Sequence, residues 1–117
     1  MEFLHQEITD KIIGAFYSVY NNLGYGFLEK VYERALLWEL RSQGLSVIQQ
    51  QQIKVFYKSQ EVGLYFADLL VNDTVAVEIK AVDTLLDAHK RQIQNYLKAT
   101  SLEVGLVLNF GPEPQIA

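Results

Sequence analysis

The chain contains no cysteine. A disulfide framework is therefore excluded, and so are thiolate metal sites and a cysteine nucleophile. No apolar run approaches the roughly 18 residues of a membrane span, and Met1-Glu2-Phe3-Leu4-His5-Gln6-Glu7 lacks a basic stretch followed by an apolar one. A cytoplasmic protein without a membrane segment is the expectation. Basic residues are also few: 10 lysines and arginines stand against 14 acids, for a net charge of -4. That is the wrong sign for coating nucleic acid by bulk electrostatics, so a nucleic-acid partner would need a local basic patch or a metal.

What is present has the balance of a folded chain. Half of the 117 residues are hydrophobic, 12% are aromatic and 21% are charged. This length suits one domain over residues 1–117, with 110–117 as a loose tail. Ile8, Ile12, Phe16, Val19 and Leu23 recur at helical spacing, which predicts a helix from about Glu7 to Asn22, broken by Gly24-Tyr25-Gly26. Leu28, Val31, Tyr32, Ala35, Leu36 and Leu40 predict a second helix, capped at Gly44. Phe16, Tyr20 and Trp38 sit at core spacing.

The period then changes to two. After the polar Gln49-Gln50-Gln51-Gln52, Ile53, Val55 and Tyr57 predict a strand. Val62 to Val71 and Val75 to Ala81 follow as two more, separated by turns at Lys58-Ser59-Gln60-Glu61 and Asn72-Asp73-Thr74. Thr84-Leu85-Leu86-Asp87 has the spacing of a capping box and opens a helix to about Thr100, before a last strand from Val104 to Phe110. The fold class is thus α+β: two N-terminal helices, a three-stranded antiparallel meander, a helix and a further strand.

Chemistry concentrates in the meander. Glu78 and Lys80 share one face of the third strand, while Val77 and Ile79 take the other. Asp68 lies in an otherwise apolar strand, where an ionised carboxylate needs a partner or a metal. A two-residue loop at Asn72-Asp73 would set Asp68 opposite Val77; a three-residue loop over Asn72-Asp73-Thr74 sets it opposite Glu78. Two carboxylates on neighbouring strands suit Mg²⁺ or Mn²⁺, which take one or two carboxylates plus waters and phosphate oxygens. The alternative is a hairpin salt bridge between Lys80 and one acid.

Gly26-Phe27-Leu28-Glu29-Lys30-Val31-Tyr32 spells G-x-x-E-x-x-Y at the start of the second helix. With Ala67-Asp68-Leu69-Leu70-Val71, Val77-Glu78-Ile79-Lys80-Ala81 and Asn109-Phe110-Gly111, the chain resembles the GxxExxY family within the PD-(D/E)XK nuclease-like superfamily, from about Ile8 to Gly111. The resemblance implies a restriction-endonuclease-like core with a mixed sheet. Asp68 matches the first strand acid of that superfamily, Glu78 and Lys80 its E-x-K, and Glu29 its helical acid. It further implies a divalent cation, Mg²⁺ or Mn²⁺, held by Asp68, Glu78, Glu29 and the Ile79 carbonyl. Gln92-Ile93-Gln94-Asn95-Tyr96 resembles the Q-x-x-x-Y element of RecB-type nucleases, whose glutamine and tyrosine line the active site. Ala67 stands where the superfamily has proline, and the sequence stops at Ala117, where this family is expected to continue with another strand carrying basic residues.

Each residue also has a plainer role. Glu29 suits a helix N-terminus, where acids interact well with the macrodipole. His89, three residues before Gln92, either touches phosphate or metal or is an exposed helix histidine. Tyr96 either lines the site or packs on the sheet, and Lys90, Arg91 and Lys98 form the nearest basic group. The leading expectation is a metal-dependent phosphodiesterase acting on DNA or RNA, with Lys80 positioning the attacking water and catalytic work shared with Glu78 and Asp68. The alternative is a non-catalytic nucleic-acid- or protein-binding subunit that keeps the nuclease-like fold. A homodimer is a further expectation, since nucleases of this size commonly pair to reach both strands.

Overall fold

The computed structural model describes residues 5–117. The first four residues, part of the stretch examined for a leader, lie outside them. The elements run α1 (Gln6–Leu23), α2 (Glu29–Ser42), β1 (Val47–Tyr57), β2 (Gln60–Val71), β3 (Val75–Lys80), α3 (Asp87–Ala99), β4 (Val104–Phe110) and β5 (Pro114–Ile116). The strands form one mixed sheet in chain order. β3 and β4 are parallel, joined across the sheet face by α3, and every other pair is antiparallel.

Strand periodicity sorts side chains between the faces. Val75, Val77 and Ile79 join Leu69, Val71, Leu108 and Phe110 beneath α1 and α2, which contribute Ile12, Phe16, Tyr32, Leu36 and Leu40. Ala76 and Val107 lie on the other face, under Ile93 and Tyr96 of α3. Burying each large apolar side chain contributes about 1.5–3 kcal/mol, so this two-sided burial pins β3 at the centre of the sheet. Glu78 and Lys80 share the parity of Ala76 and therefore belong to the α3 face.

One motif residue and one cap residue prove structural. The buried Tyr32 hydroxyl donates to the Gly24 carbonyl at 2.7 Å and accepts from the Phe27 N–H at 3.2 Å. Its ring stacks on Phe110 at 4.3 Å, so the tyrosine of G-x-x-E-x-x-Y locks the turn between the helices onto the sheet. At the end of α2, Gly44 has φ +84° and its N–H bonds the Arg41 carbonyl, while Leu45 N–H reaches Leu40. This is the left-handed C-terminal cap expected there.

Several expectations need correction. Gln49 to Gln52 belong to β1, which begins at Val47. α3 starts at Asp87, and its N-terminus lacks the reciprocal box: only the His89 Nδ1 accepts, from the Leu86 N–H at 3.0 Å. A leucine has no side-chain oxygen with which to complete the exchange. Trp38 is 70% exposed, because Tyr32, Leu36 and Leu40 define the buried stripe of α2 and residue 38 falls on the opposite side. The presumed tail returns as β5, antiparallel to β4.

That return explains Asn109-Phe110-Gly111. Buried Asn109 accepts from the Val82 N–H and donates to the Val82 carbonyl, both at 2.9 Å, and also donates to Gln115 Oε1 at 3.0 Å. Gln115 Oε1 also accepts from the Leu85 N–H at 2.8 Å, so two amides clamp the loop that follows Lys80. A Cβ on Gly111 would meet the Val82 carbonyl oxygen at 2.1 Å. Gly111→Ala is therefore expected to lower stability by about 1–3 kcal/mol, as overpacking does. Gly14→Ala, on the exposed face of α1 with nothing within 4 Å of the new Cβ, should instead stabilise by about 0.4–1 kcal/mol. Urea denaturation of the two variants checks this; equal effects would mean that the clamp yields freely.

Candidate active site

The loop between β2 and β3 decides what faces what. Val71 pairs with Val75, Leu70 with Ala76 and Leu69 with Val77, so the loop holds three residues, Asn72 to Thr74. Asn72 (φ 51°) and Asp73 (φ 56°) take the left-handed conformation, which short polar side chains tolerate. Thr74 N–H closes the turn on the Val71 carbonyl at 3.0 Å. Continuing this register brings Asp68 opposite Glu78, the arrangement that the odd loop requires.

At Asp68 the strand changes its habit. Leu69 and Val71 pack under α1 and α2, whereas Ala67, of the same parity, packs with the α3 cluster. Backbone pairing with β3 runs only to Leu69, and beyond it the Asp68 Oδ2 accepts the Ile79 N–H at 2.7 Å. The carboxylate thus replaces a strand carbonyl and is fixed beside Glu78. Glu78 itself is 5% exposed, and its Oε1 is buried with no hydrogen-bond partner among the described residues.

Such a carboxyl resists ionisation. Burial first, then the Asp68 charge and a proton shared with that neighbour, push Glu78 up to about 8, against a smaller opposing pull from Lys80. The folded state therefore binds this proton more tightly than the unfolded chain. The stability so contributed is complete below the ordinary pKa of 4.5 and is lost as pH rises through about 8. The cation-free protein should lose melting temperature across that window, with a slope of up to about 1.4 kcal/mol per pH unit. Glu78→Gln should flatten the profile. Identical profiles for wild type and variant would mean that Glu78 is solvated.

Lys80 is half-buried and, among the described residues, makes no ion pair within 4.0 Å with either acid. The salt-bridge alternative is therefore not what the hairpin adopts. From α3, Tyr96 is 4% exposed, and its phenol is pushed up to about 12 by burial and then by Glu78, Tyr65 and Asp68. It stays a neutral hydroxyl beside the two carboxylates, one turn after Gln92 on the same helix. Tyr96 is at once core and site neighbour. His89 is committed through Nδ1 to the N-terminus of α3.

The helical acid lies elsewhere than expected. Glu29 is exposed in the first turn of α2 and makes no hydrogen bond to Asp68 or Glu78 among the described residues. One turn on, Glu33 is 4% exposed and takes hydrogen bonds from Lys30 Nζ at 3.0 Å, Gln49 Nε2 and Gln50 Nε2 at 2.8 Å. The Gln50 amide also donates to Asp68 Oδ1 at 3.2 Å, standing between the two acids. Sequence reading missed Glu33, although an acid between Tyr32 and Leu36 on the apolar stripe was a visible signal. Gln50 and Tyr65 carried no comparable signal.

The donor set fits a hard divalent cation through two carboxylates. Among the described residues no three Asp, Glu or His side chains converge to hold one ion. Asp68 and Glu78 are neighbours, however, and the unpartnered Glu78 Oε1 is the kind of buried atom an ion satisfies. Mg²⁺ needs no more, since waters and substrate oxygens complete its shell.

Comparison with known proteins identifies the fold. The chain matches the PD-(D/E)XK nuclease superfamily over residues 6–117, and it belongs to that superfamily. Among the described residues, three helices and a five-stranded mixed sheet make a restriction-endonuclease-like α+β fold. Nucleases of this superfamily generally use divalent metal ions. No curated protein and no solved structure matches the chain. Among the described residues, no helix is long and apolar enough to cross a membrane.

Proposed function

We propose that the protein is a divalent-cation-dependent phosphodiesterase acting on nucleic acid. The single observation that carries this reading is the buried Glu78 carboxylate, with an oxygen that lacks a partner, beside Asp68 and two residues from Lys80. Asp68, Glu78 and the Ile79 carbonyl would hold the cation, Mg²⁺ or Mn²⁺. When bound, the cation supplies a Lewis acid that polarises the phosphoryl oxygen and acidifies a water. Lys80 orients the attacking water through Nζ and stabilises the charge that grows on the phosphate. The water oxygen bonds phosphorus as one P–O ester bond breaks, leaving a phosphomonoester and an alcohol. Gln92 and Tyr96 steer the scissile phosphate with neutral donors.

Glu33 takes the part expected of Glu29, through Gln50 rather than by direct contact. Its amide bridge keeps the Asp68 carboxylate turned toward Glu78. Gly26, Glu29 and Tyr32 support placing the chain in the smaller GxxExxY group. The test is cleavage of plasmid and labelled oligonucleotides with Mg²⁺ or Mn²⁺, alongside a chelator control. Cleavage that needs the cation supports the reading; none on any substrate, in protein shown to be folded, refutes it.

A further inference from the structure

Beyond Asp68 the β1–β2 hairpin leaves the sheet. β2 pairs with β3 only from Leu69 to Val71, so residues 60–67 continue with β1 alone as a two-stranded ribbon. The ribbon is aromatic and open to solvent: Phe56 is 60% exposed, Tyr57 62%, Phe66 47% and Tyr65 40%. A bulge between Val55 and Phe56 breaks the register there. Between ribbon and α3 lies a cleft of 550 Å³ lined by Phe56, Tyr65, Asn95 and Lys98 among others, within the range of about 300–1,000 Å³ typical of ligand sites.

Its chemistry is specific. Two aromatic rings provide a stacking surface, the Asn95 amide offers both a donor and an acceptor, and Lys98 supplies one positive charge. An unpaired nucleobase with its phosphate asks for that combination. One wall of the cleft borders the candidate active site: the Tyr65 ring meets Tyr96 edge-on at 4.7 Å, and Tyr96 neighbours Glu78 and Asp68. A chain with net charge -4 gains little from bulk counterion release, so stacking is the stronger source of affinity open to it.

We propose that this cleft is a subsite for an unpaired nucleobase of single-stranded nucleic acid, placing the linked phosphodiester at Asp68 and Glu78. The second half rests on the phosphodiesterase reading; base binding does not. The substrate class is then single strands or frayed ends, because the bases of a blunt duplex are already stacked on each other.

The test is fluorescence anisotropy with the full chain in chelator. The probes are labelled oligodeoxythymidine and oligouridine of about ten nucleotides, a length an extended strand-binding site covers, and a blunt duplex. Both single strands should bind more tightly than the duplex, and the better of the two tells DNA from RNA. Phe56→Ala and Asn95→Ala should each weaken single-strand binding about tenfold, with unchanged melting temperature at the exposed Phe56, while Phe56→Trp keeps it. Unchanged affinity in Phe56→Ala would overturn the subsite even if the wild type cleaves. Loss of binding in Phe56→Ala, with no cleavage by the wild type, would keep the subsite and remove the phosphodiesterase reading. Self-association abolished by Phe56→Ala, with no oligonucleotide bound, would assign the cleft to a second copy of the chain and overturn the proposal.

Discussion

Lys80→Ala is expected to lower cleavage about 100- to 1,000-fold, the usual cost of removing one group that stabilises transition-state charge, while leaving Mn²⁺ affinity within about twofold of wild type at a pH where Glu78 is ionised in both proteins. The separation follows from position. Lys80 shares the face of Glu78, and its charge eases the ionisation of that acid, but it makes no ion pair with either carboxylate among the described residues. Removing it should therefore leave the two oxygen donors where they are. Because the positive charge is gone, the Glu78 carboxyl should move further upward, which shifts the onset of metal binding to higher pH. Parallel loss of metal affinity and cleavage at every pH would make Lys80 a structural support of the carboxylates.

Asp68→Asn should lose both metal affinity and cleavage. The amide oxygen can still accept the Ile79 N–H, so the strand junction survives the change. What disappears is the negative charge, one of two that would face the cation, together with the acceptor that Asp68 Oδ1 offers to Gln50. The same charge holds Glu78 upward, so its removal brings the Glu78 carboxyl back toward its ordinary range. The cation-free variant should accordingly depend less on pH than the wild type and melt at an equal or higher temperature near pH 8. A folded, thermally robust protein that binds no Mn²⁺ is the expected combination. Wild-type affinity in Asp68→Asn would remove Asp68 from the coordination shell.

The elements visible in the sequence were those with one strong period. α1 and α2 carry long apolar stripes, and the central strands are apolar runs between turn residues, so their order and type were legible. Parity even reduced the pairing of Asp68 and Glu78 to a choice of loop length, which the left-handed Asn72 and Asp73 resolve. β1 was only half seen because Gln49 to Gln52 resemble a polar linker. Two of those glutamines are instead tied to the buried Glu33, Gln49 half-buried and Gln50 at the surface. Glu33 lies outside the G-x-x-E-x-x-Y pattern, and its burial is decided by how α2 packs against the sheet. β5 is three residues long, and its anchor is the hydrogen bond from Asn109 to Gln115, a pairing that no periodicity announces.

The cation site itself can be weighed by titrating Mn²⁺ into the wild-type chain at pH 7, with calorimetry in two buffers of different ionisation enthalpy. A carboxyl pushed up to about 8 is still largely protonated there, and it must release that proton to coordinate a cation. The expected result is one Mn²⁺ per chain with release of about one proton, and neither in Asp68→Asn. Absence of binding, or binding without proton release that Asp68→Asn leaves unchanged, would show that Asp68 and Glu78 do not form a metal site.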